Sequence, residues 1–117
     1  MSGAEHPRPD AALDFQSCPA CGNVWWFRRE FCPRCGRRGP DDRSSTGRGS
    51  VEAVTVVHRA PDEAWRPHVP YTLVLVAMDD GFRAMGHGEP GLAIGDGVWA
   101  RTEERAGRSV PVFARER

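Results

Sequence analysis

The sequence predicts a mainly β chain in two small parts, a metal-binding ribbon followed by a five-stranded barrel. Three observations predict it. All four cysteines fall in two identical C-P-x-C-G units between residues 18 and 36. From residue 50 onward the chain reads as five short apolar or β-branched runs separated by turn residues. The 10 prolines and 13 glycines among 117 residues interrupt the chain too often for long helices. That length suits one ordinary domain or two very small ones. The expected division is a loose tail or short helix over 1–14, a zinc ribbon over 15–40, a linker over 41–49 and a barrel over 50–117.

The N-terminal stretch "MSGAEHPRPD" lacks the basic-then-apolar layout of a secretory signal. No apolar run approaches the roughly 20 residues of a membrane-spanning helix. A cytoplasmic protein without membrane contact is therefore expected.

In the ribbon, Cys18 and Cys21 form one C-x2-C pair and Cys32 and Cys35 the other, with ten residues between the pairs. This is the two-knuckle zinc pattern. Gly22 and Gly36 give backbone freedom just after the second thiolate of each pair, while Pro19 and Pro33 stiffen the turns. Four thiolates complete a tetrahedral shell with no position for water, so the expected cofactor is one structural Zn²⁺ ion. Two disulfides fit worse, because the spacing is a knuckle pair and no export signal is visible. A redox iron centre would use the same four-thiolate geometry. Thioredoxin-like chemistry uses one such pair beside a strand and a helix.

Between the knuckles, "NVWWFRREF" is rich in aromatics. Trp25, Trp26, Phe27 and Phe31 can wrap the metal core, but so small a ribbon has little interior. Adjacent Trp25 and Trp26 on a strand point to opposite faces, which would expose one of them. Flanked by Arg28 and Arg29, an exposed aromatic makes a partner-docking surface or a base-stacking platform. The formal charge of zero is uneven: residues 22–50 carry seven Arg against three acids, and residues 51–117 eight Arg against ten. Lysine is absent, a bias that codon usage in a GC-rich genome accounts for most simply.

The polar stretch "GRRGPDDRSSTGRG" reads as the connection to the barrel. The barrel strands are then "GSVEAVTVVH", "PYTLVLVAM", "FRAMGHG", "GVWARTEE" and "VPVFA". Both faces of the first two are apolar: Val51, Ala53 and Val57 alternate with Val54 and Val56, and Leu73 and Leu75 with Val74 and Val76. One face can line a barrel, and the other needs a cover. Five antiparallel strands of this size suggest a small barrel of the OB type, with another small β-barrel or sandwich as the alternative. The insert "RAPDEAWRPHVP" joins the first two strands and carries Trp65, Arg66 and His68, either as a lid over the barrel or in ligand contact. No catalytic constellation emerges. His58, His68 and His87 have no nucleophile at a recognisable spacing, and the Gly86–Gly91 stretch is a turn rather than a phosphate loop.

The order of these features resembles the bacterial and archaeal family filed as domain of unknown function thirty-five, in which a rubredoxin-like zinc ribbon precedes an OB fold. The resemblance runs from Cys18 to about Phe113. It rests on the two knuckles, "GRGSVEAVTVVHRA", the pair Pro70-Tyr71, "MDDGFRAMG", "IGDGVWAR" and "VPVFA". Where the family often has Pro-Pro-Arg in the hairpin, this chain has Phe27, Arg28 and Arg29, so only an arginine matches. The family's N-terminal helix is abbreviated, and residues 1–12 read as disordered. The resemblance implies a non-catalytic companion of a thiolase-like, ketosynthase-like or hydratase-like enzyme that helps to bind acyl-CoA or CoA. Contacts to CoA or the partner are then expected from Trp25, Trp26, Arg28 and Arg29 in the ribbon and from Trp65, Arg66 and His68 in the loop. A module binding single-stranded nucleic acid is the alternative, since both folds and the Trp/Arg interleaving suit it. It is disfavoured by the zero net charge and the acidic barrel half.

Overall fold

A computed structural model describes residues 13–116. Three short strands, β1 (Asp14–Ser17), β2 (Val24–Trp25) and β3 (Asp41–Ser44), form an antiparallel sheet in the order β2-β1-β3. Five longer strands follow: β4 (Arg48–Val57), β5 (Tyr71–Met78), β6 (Arg83–Gly88), β7 (Gly97–Arg105) and β8 (Arg108–Arg115). They close a barrel in the order β4-β5-β6-β8-β7, sealed by the parallel β6–β8 pair and by Arg48–Ser50 of β4 against β7. This is the five-stranded OB arrangement that the sequence predicts. A 3₁₀ helix, Glu63–His68, fills the connection from β4 to β5.

Strand β5 shows why the barrel forms. Val74, Val76 and Met78 are buried, and the residues between them are half-exposed, a period of two. Facing them are Val51, Ala84, Val98, Ala100 and Phe113, the last wholly buried. Each such Val or Phe contributes about 1.5–3 kcal/mol by leaving water. At the seam, Gly86 has no room for a side chain: a Cβ there would lie 2.6 Å from the Pro111 carbonyl oxygen. Its bareness lets β6 and β8 approach.

The ribbon is built onto the barrel, not strung from it. Leu13 and Phe15 belong to the same buried cluster as the barrel core, and Phe15 stacks on Phe82 with centroids 4.6 Å apart. Leu13 and Ser45 clasp each other: the Leu13 amide donates to Ser45 Oγ (3.1 Å), and the Ser45 amide to the Leu13 carbonyl (2.8 Å).

Three expectations need correction. The stretch 41–49 is not a plain linker, because Asp41–Ser44 pair with β1 and β4 begins at Arg48. All four residues of β3 are exposed, so no apolar alternation marks the strand. Leu13 and Asp14 are not tail, since one is in the core and the other begins β1; the expectation for residues 1–12 lies outside the described residues. Val51 does not share a face with Ala53, because a bulge between them shifts the register and places Val51 inward with Val54. Among the described residues no helix is long and apolar enough to cross a membrane.

Candidate functional site

The two C-P-x-C-G units fold alike. In the first, the Gly22 amide donates to the Cys18 carbonyl (2.9 Å) and the Cys18 amide to the Asn23 carbonyl (2.9 Å). In the second, Gly36 donates to Cys32 (2.9 Å) and Cys32 to Arg37 (2.8 Å). Each turn closes through a glycine in the left-handed region, Gly22 at φ 78° and Gly36 at φ 82°. Two such turns set face to face bring all four Sγ atoms within 4.8 Å of one another.

That spacing fits a single ion. Metal–sulfur bonds of about 2.3 Å in a tetrahedron place the sulfurs roughly 3.8 Å apart. Cys18 and Cys35 Sγ are 3.6 Å apart, and Cys21 and Cys32 Sγ 3.7 Å, which is co-ligand spacing rather than ordinary hydrogen bonding. Cys18 and Cys32 are buried, Cys21 and Cys35 exposed.

Electrostatics favour a cation. The backbone N–H of Cys21, followed by that of Ala20, lowers the Cys18 thiol. Burial works to raise the Cys32 thiol, but the amides of Cys35 and Arg34, 3.4 and 3.3 Å from its sulfur, outweigh it and bring it down to about 6. For Cys35 the Arg37 amide lowers the thiol, yet the neighbouring Cys18 sulfur, burial and the remaining thiols push it up to about 11. Sulfurs this close cannot all be anionic unless a metal cation neutralises them.

The metal turns hold an aromatic tip whose organiser is a residue that the sequence does not single out. Gln16 is 4% exposed. Its Oε1 accepts from Trp25 Nε1 (2.8 Å) and from the Arg29 amide (2.7 Å), and its Nε2 donates to Asp42 Oδ1 (3.0 Å). Arg28 Nη1 donates to the same Asp42 oxygen at 2.9 Å. The hydrogen bond from Gln16, then the Arg28 guanidinium, holds the Asp42 carboxyl below its ordinary range. Trp25 is thereby pinned half-buried, and Trp26 packs against the barrel core, so neither tryptophan is the exposed aromatic. Phe27 and Phe31 take that place, 72% and 49% exposed. Phe27 stacks on Trp26 with centroids 4.7 Å apart. A groove of about 770 Å³ runs past Gln16, Arg28, Arg29, Glu30 and Phe31, and one of about 420 Å³ past Trp26, Arg28 and Asp42.

The loop residues form a separate group. The Asp62 side chain caps the 3₁₀ helix by accepting from the Trp65 amide (3.3 Å). Trp65 then lies flat on His87 of β6, with centroids 4.9 Å apart and planes 15° apart, and against Tyr71 at 5.4 Å. His68 meets the edge of Trp65 at 5.4 Å and lines a pocket of about 270 Å³ with Tyr71, Arg101 and Arg105. Arg66 is paired with Glu63 at 2.7 Å and lines an outer groove with His58 and Arg59. Trp65 is thus a lid over the outer face of β5 and β6. The sequence does not announce that His87 lies beneath it, because His87 sits on β6, which only the fold brings under this loop.

Comparisons with known proteins agree with this architecture. The C-terminal OB-fold domain family of ChsH2 matches residues 42–103, just over half of the chain. A DUF35 domain-containing scaffold protein of Methanocaldococcus jannaschii is 33% identical over 70 residues, 59% of this chain and 49% of that protein. One of the same name from Methanothermobacter thermautotrophicus is 31% identical over 72 residues, 61% of this chain and 53% of that protein. The matched region spans about half the length of these curated relatives. Among solved structures, the Ltp2-ChsH2(DUF35) aldolase superposes with a TM-score of 0.73 at 28% identity, over 88% of this chain and 84% of that one. A DUF35 protein of unknown function from Sulfolobus solfataricus superposes at 0.61 over 90% of this chain and 76% of its own; at 12% identity it shows the fold alone.

Proposed function

The chain belongs to the DUF35 family, with a ChsH2-type C-terminal OB-fold domain, and on that premise we propose that it is a non-catalytic accessory subunit of an acyl-CoA-using enzyme. The observation that carries this reading is the likeness, over 84% of its length, to the chain solved in the Ltp2-ChsH2(DUF35) aldolase. The scaffold names of the curated relatives support it. The partner is a thiolase-like, ketosynthase-like or hydratase-like enzyme, to which the named neighbour adds an aldolase.

In this reading one Zn²⁺ ion, held by Cys18, Cys21, Cys32 and Cys35, fixes the two turns and supplies no chemistry, since its shell is closed. The turns present Phe27 and Phe31, which dock on the enzyme by leaving water. Arg29 is the better candidate to hold a CoA phosphate. Its guanidinium has no carboxylate partner among the described residues, whereas Arg28 is held by Asp42, which would repel an anion. Trp25, Trp26 and Trp65 then act by shaping these surfaces, while Arg66 and His68 stand at the far loop.

The test is a mild-salt purification of the tagged full chain from its own cells, followed by identification of what it retains and an acyl-CoA assay with and without the chain. Stoichiometric recovery of an acyl-CoA-using enzyme whose activity needs the chain is expected. Phe27→Ser with Phe31→Ser should reduce that recovery at least about tenfold, while the purified variant keeps its metal and loses only about 0.5–1.5 kcal/mol, that of the Trp26–Phe27 stack. Retention of nucleic-acid machinery released by nuclease, or an enzyme indifferent to the chain, would sink the proposal.

A further inference from the structure

Strand β4 is longer than its partner on one side. Its pairing with β7 ends at Ser50, and Val51 makes the last backbone bonds on that side, to Asp96 (2.9 Å) and Gly95 (2.8 Å). From Ala53 to Val57 it pairs with β5 alone among the described residues. The N–H and C=O groups of every second one of these five residues therefore face away from the sheet. The segment reads Ala-Val-Thr-Val-Val, and Val56 is 48% exposed. Edges of this kind are ordinarily blunted by charge, proline or a covering loop; this one has none within it. A bare, β-branched and uncharged edge is a site for strand addition.

We infer that this edge pairs antiparallel with the same edge of a second copy of the chain, about a two-fold axis through Thr55. The sequence is complementary to itself in that register. Thr55 lies opposite Thr55, a favourable cross-strand pair, and Ala53 lies opposite Val57 and the exposed Val56 opposite Val54, so apolar residues meet apolar ones. Just outside the apolar segment, Glu52 of one copy meets His58 of the other, so both flanks place an acid against a base. Glu52, already bonded to Arg83 (2.7 Å), keeps its carboxylate at the surface, where that histidine can reach it. The register works for either orientation of the outward groups. If Thr55 points its amide outward, the Thr55 pair is a hydrogen-bonded one. If Val54 and Val56 do, their two pairs are. The two barrels would then share one sheet across the axis.

The experiment is sedimentation equilibrium of the metal-replete full chain, with amide hydrogen exchange read over residues 53–57. A five-residue seam is small, so a dimer with Kd on the order of 10 μM to 1 mM is expected, with protection at 53–57 rising with concentration. Thr55→Lys sets two lysines together on the axis and should weaken the dimer at least about tenfold. Because that side chain is exposed, the monomer should keep its melting point. Glu52→Lys alone should weaken the dimer about two- to fivefold, and adding His58→Glu should restore it. A chain that stays monomeric to about 1 mM, or a dimer indifferent to Thr55→Lys, overturns the inference. So does protection at 53–57 that appears only when the enzyme partner is added, since the edge would then belong to a strand of that enzyme.

Discussion

At the scale of single residues, His87 shows how a polar group is made part of the barrel wall. It is 5% exposed, stacked on Trp65 and tilted against Tyr71, and its Nδ1 is buried without a hydrogen-bond partner among the described residues. A proton on Nδ1 would have no acceptor, so the neutral ring with its hydrogen on Nε2 is favoured. Burial first, then the positive charge of Arg105 and of His68, lowers its pKa from the ordinary value near 6.5, with Glu103 acting in the opposite sense. The unfolded chain then takes up a proton more readily than the folded one. Stability should be level above about pH 6.5 and fall as the pH drops from there through the lowered folded pKa. Thermal melts between pH 5 and 8 read this directly. His87→Phe keeps the stack and removes the unpartnered nitrogen, so its melting point should match or exceed the wild type near pH 8. The gap should widen in its favour toward pH 5. A wild-type profile parallel to that of the variant would mean that His87 does not titrate across this range.

At the scale of elements, the β7–β8 hairpin turns in two residues, Ala106 and Gly107, with φ of 53° and 76°. Two positive φ values in a two-residue loop suit a type I′ turn, where asparagine followed by glycine is preferred. Ala106 is the one non-glycine residue among those described that sits in the left-handed region, and its Cβ makes that costly. Ala106→Asn should stabilise the chain by about 0.5–1 kcal/mol, raising Tm by roughly 2–7 °C. Differential scanning calorimetry would detect it, and an unchanged or lower Tm would refute the turn assignment. This hairpin was legible in the sequence, as were all five barrel strands, because apolar runs bounded by Gly and Asp are a local signal. Of the ribbon strands, only the one at Trp25 was anticipated, and its partners were not. β2 has two residues and β3 four exposed polar ones, and both exist because β1 is there to pair with them. The bulge after Val51 was equally hidden. Loop residues 95 and 96 bond to Val51 there, a contact that nothing within β4 announces.

For the whole molecule, the decisive fact is that ribbon and barrel share one core. The cysteine cluster was legible because two C-x2-C turns at that spacing are a local signal for thiols that converge on one point. The exposed tip was misjudged, because Gln16 pins Trp25 and the barrel takes Trp26, leaving Phe27 and Phe31 to the solvent. The shared core predicts that removing the metal disturbs both parts. If the ribbon were an independent appendage, a chelator would unfold it and leave the barrel melting unchanged. Instead β1 carries Phe15 into the stack on Phe82, and Leu13 is clasped to Ser45 at the entrance to β4. Loss of the ion frees the two turns, loosens β1 and β2, and withdraws Leu13 and Phe15 from the barrel core. Even about 3 kcal/mol of such coupling lowers Tm by roughly 10–20 °C for a chain of this size. Phe82→Ala cuts the same link from the barrel side and should cost about 3–5 kcal/mol in the metal-bound protein. It should also shrink the further loss on chelation, since the stack that transmits it is gone. A double-mutant-style cycle of wild type and Phe82→Ala, each with and without metal, measures that coupling as the difference of the two chelation effects. Equal chelation effects in both proteins would show that the ribbon answers to its metal alone.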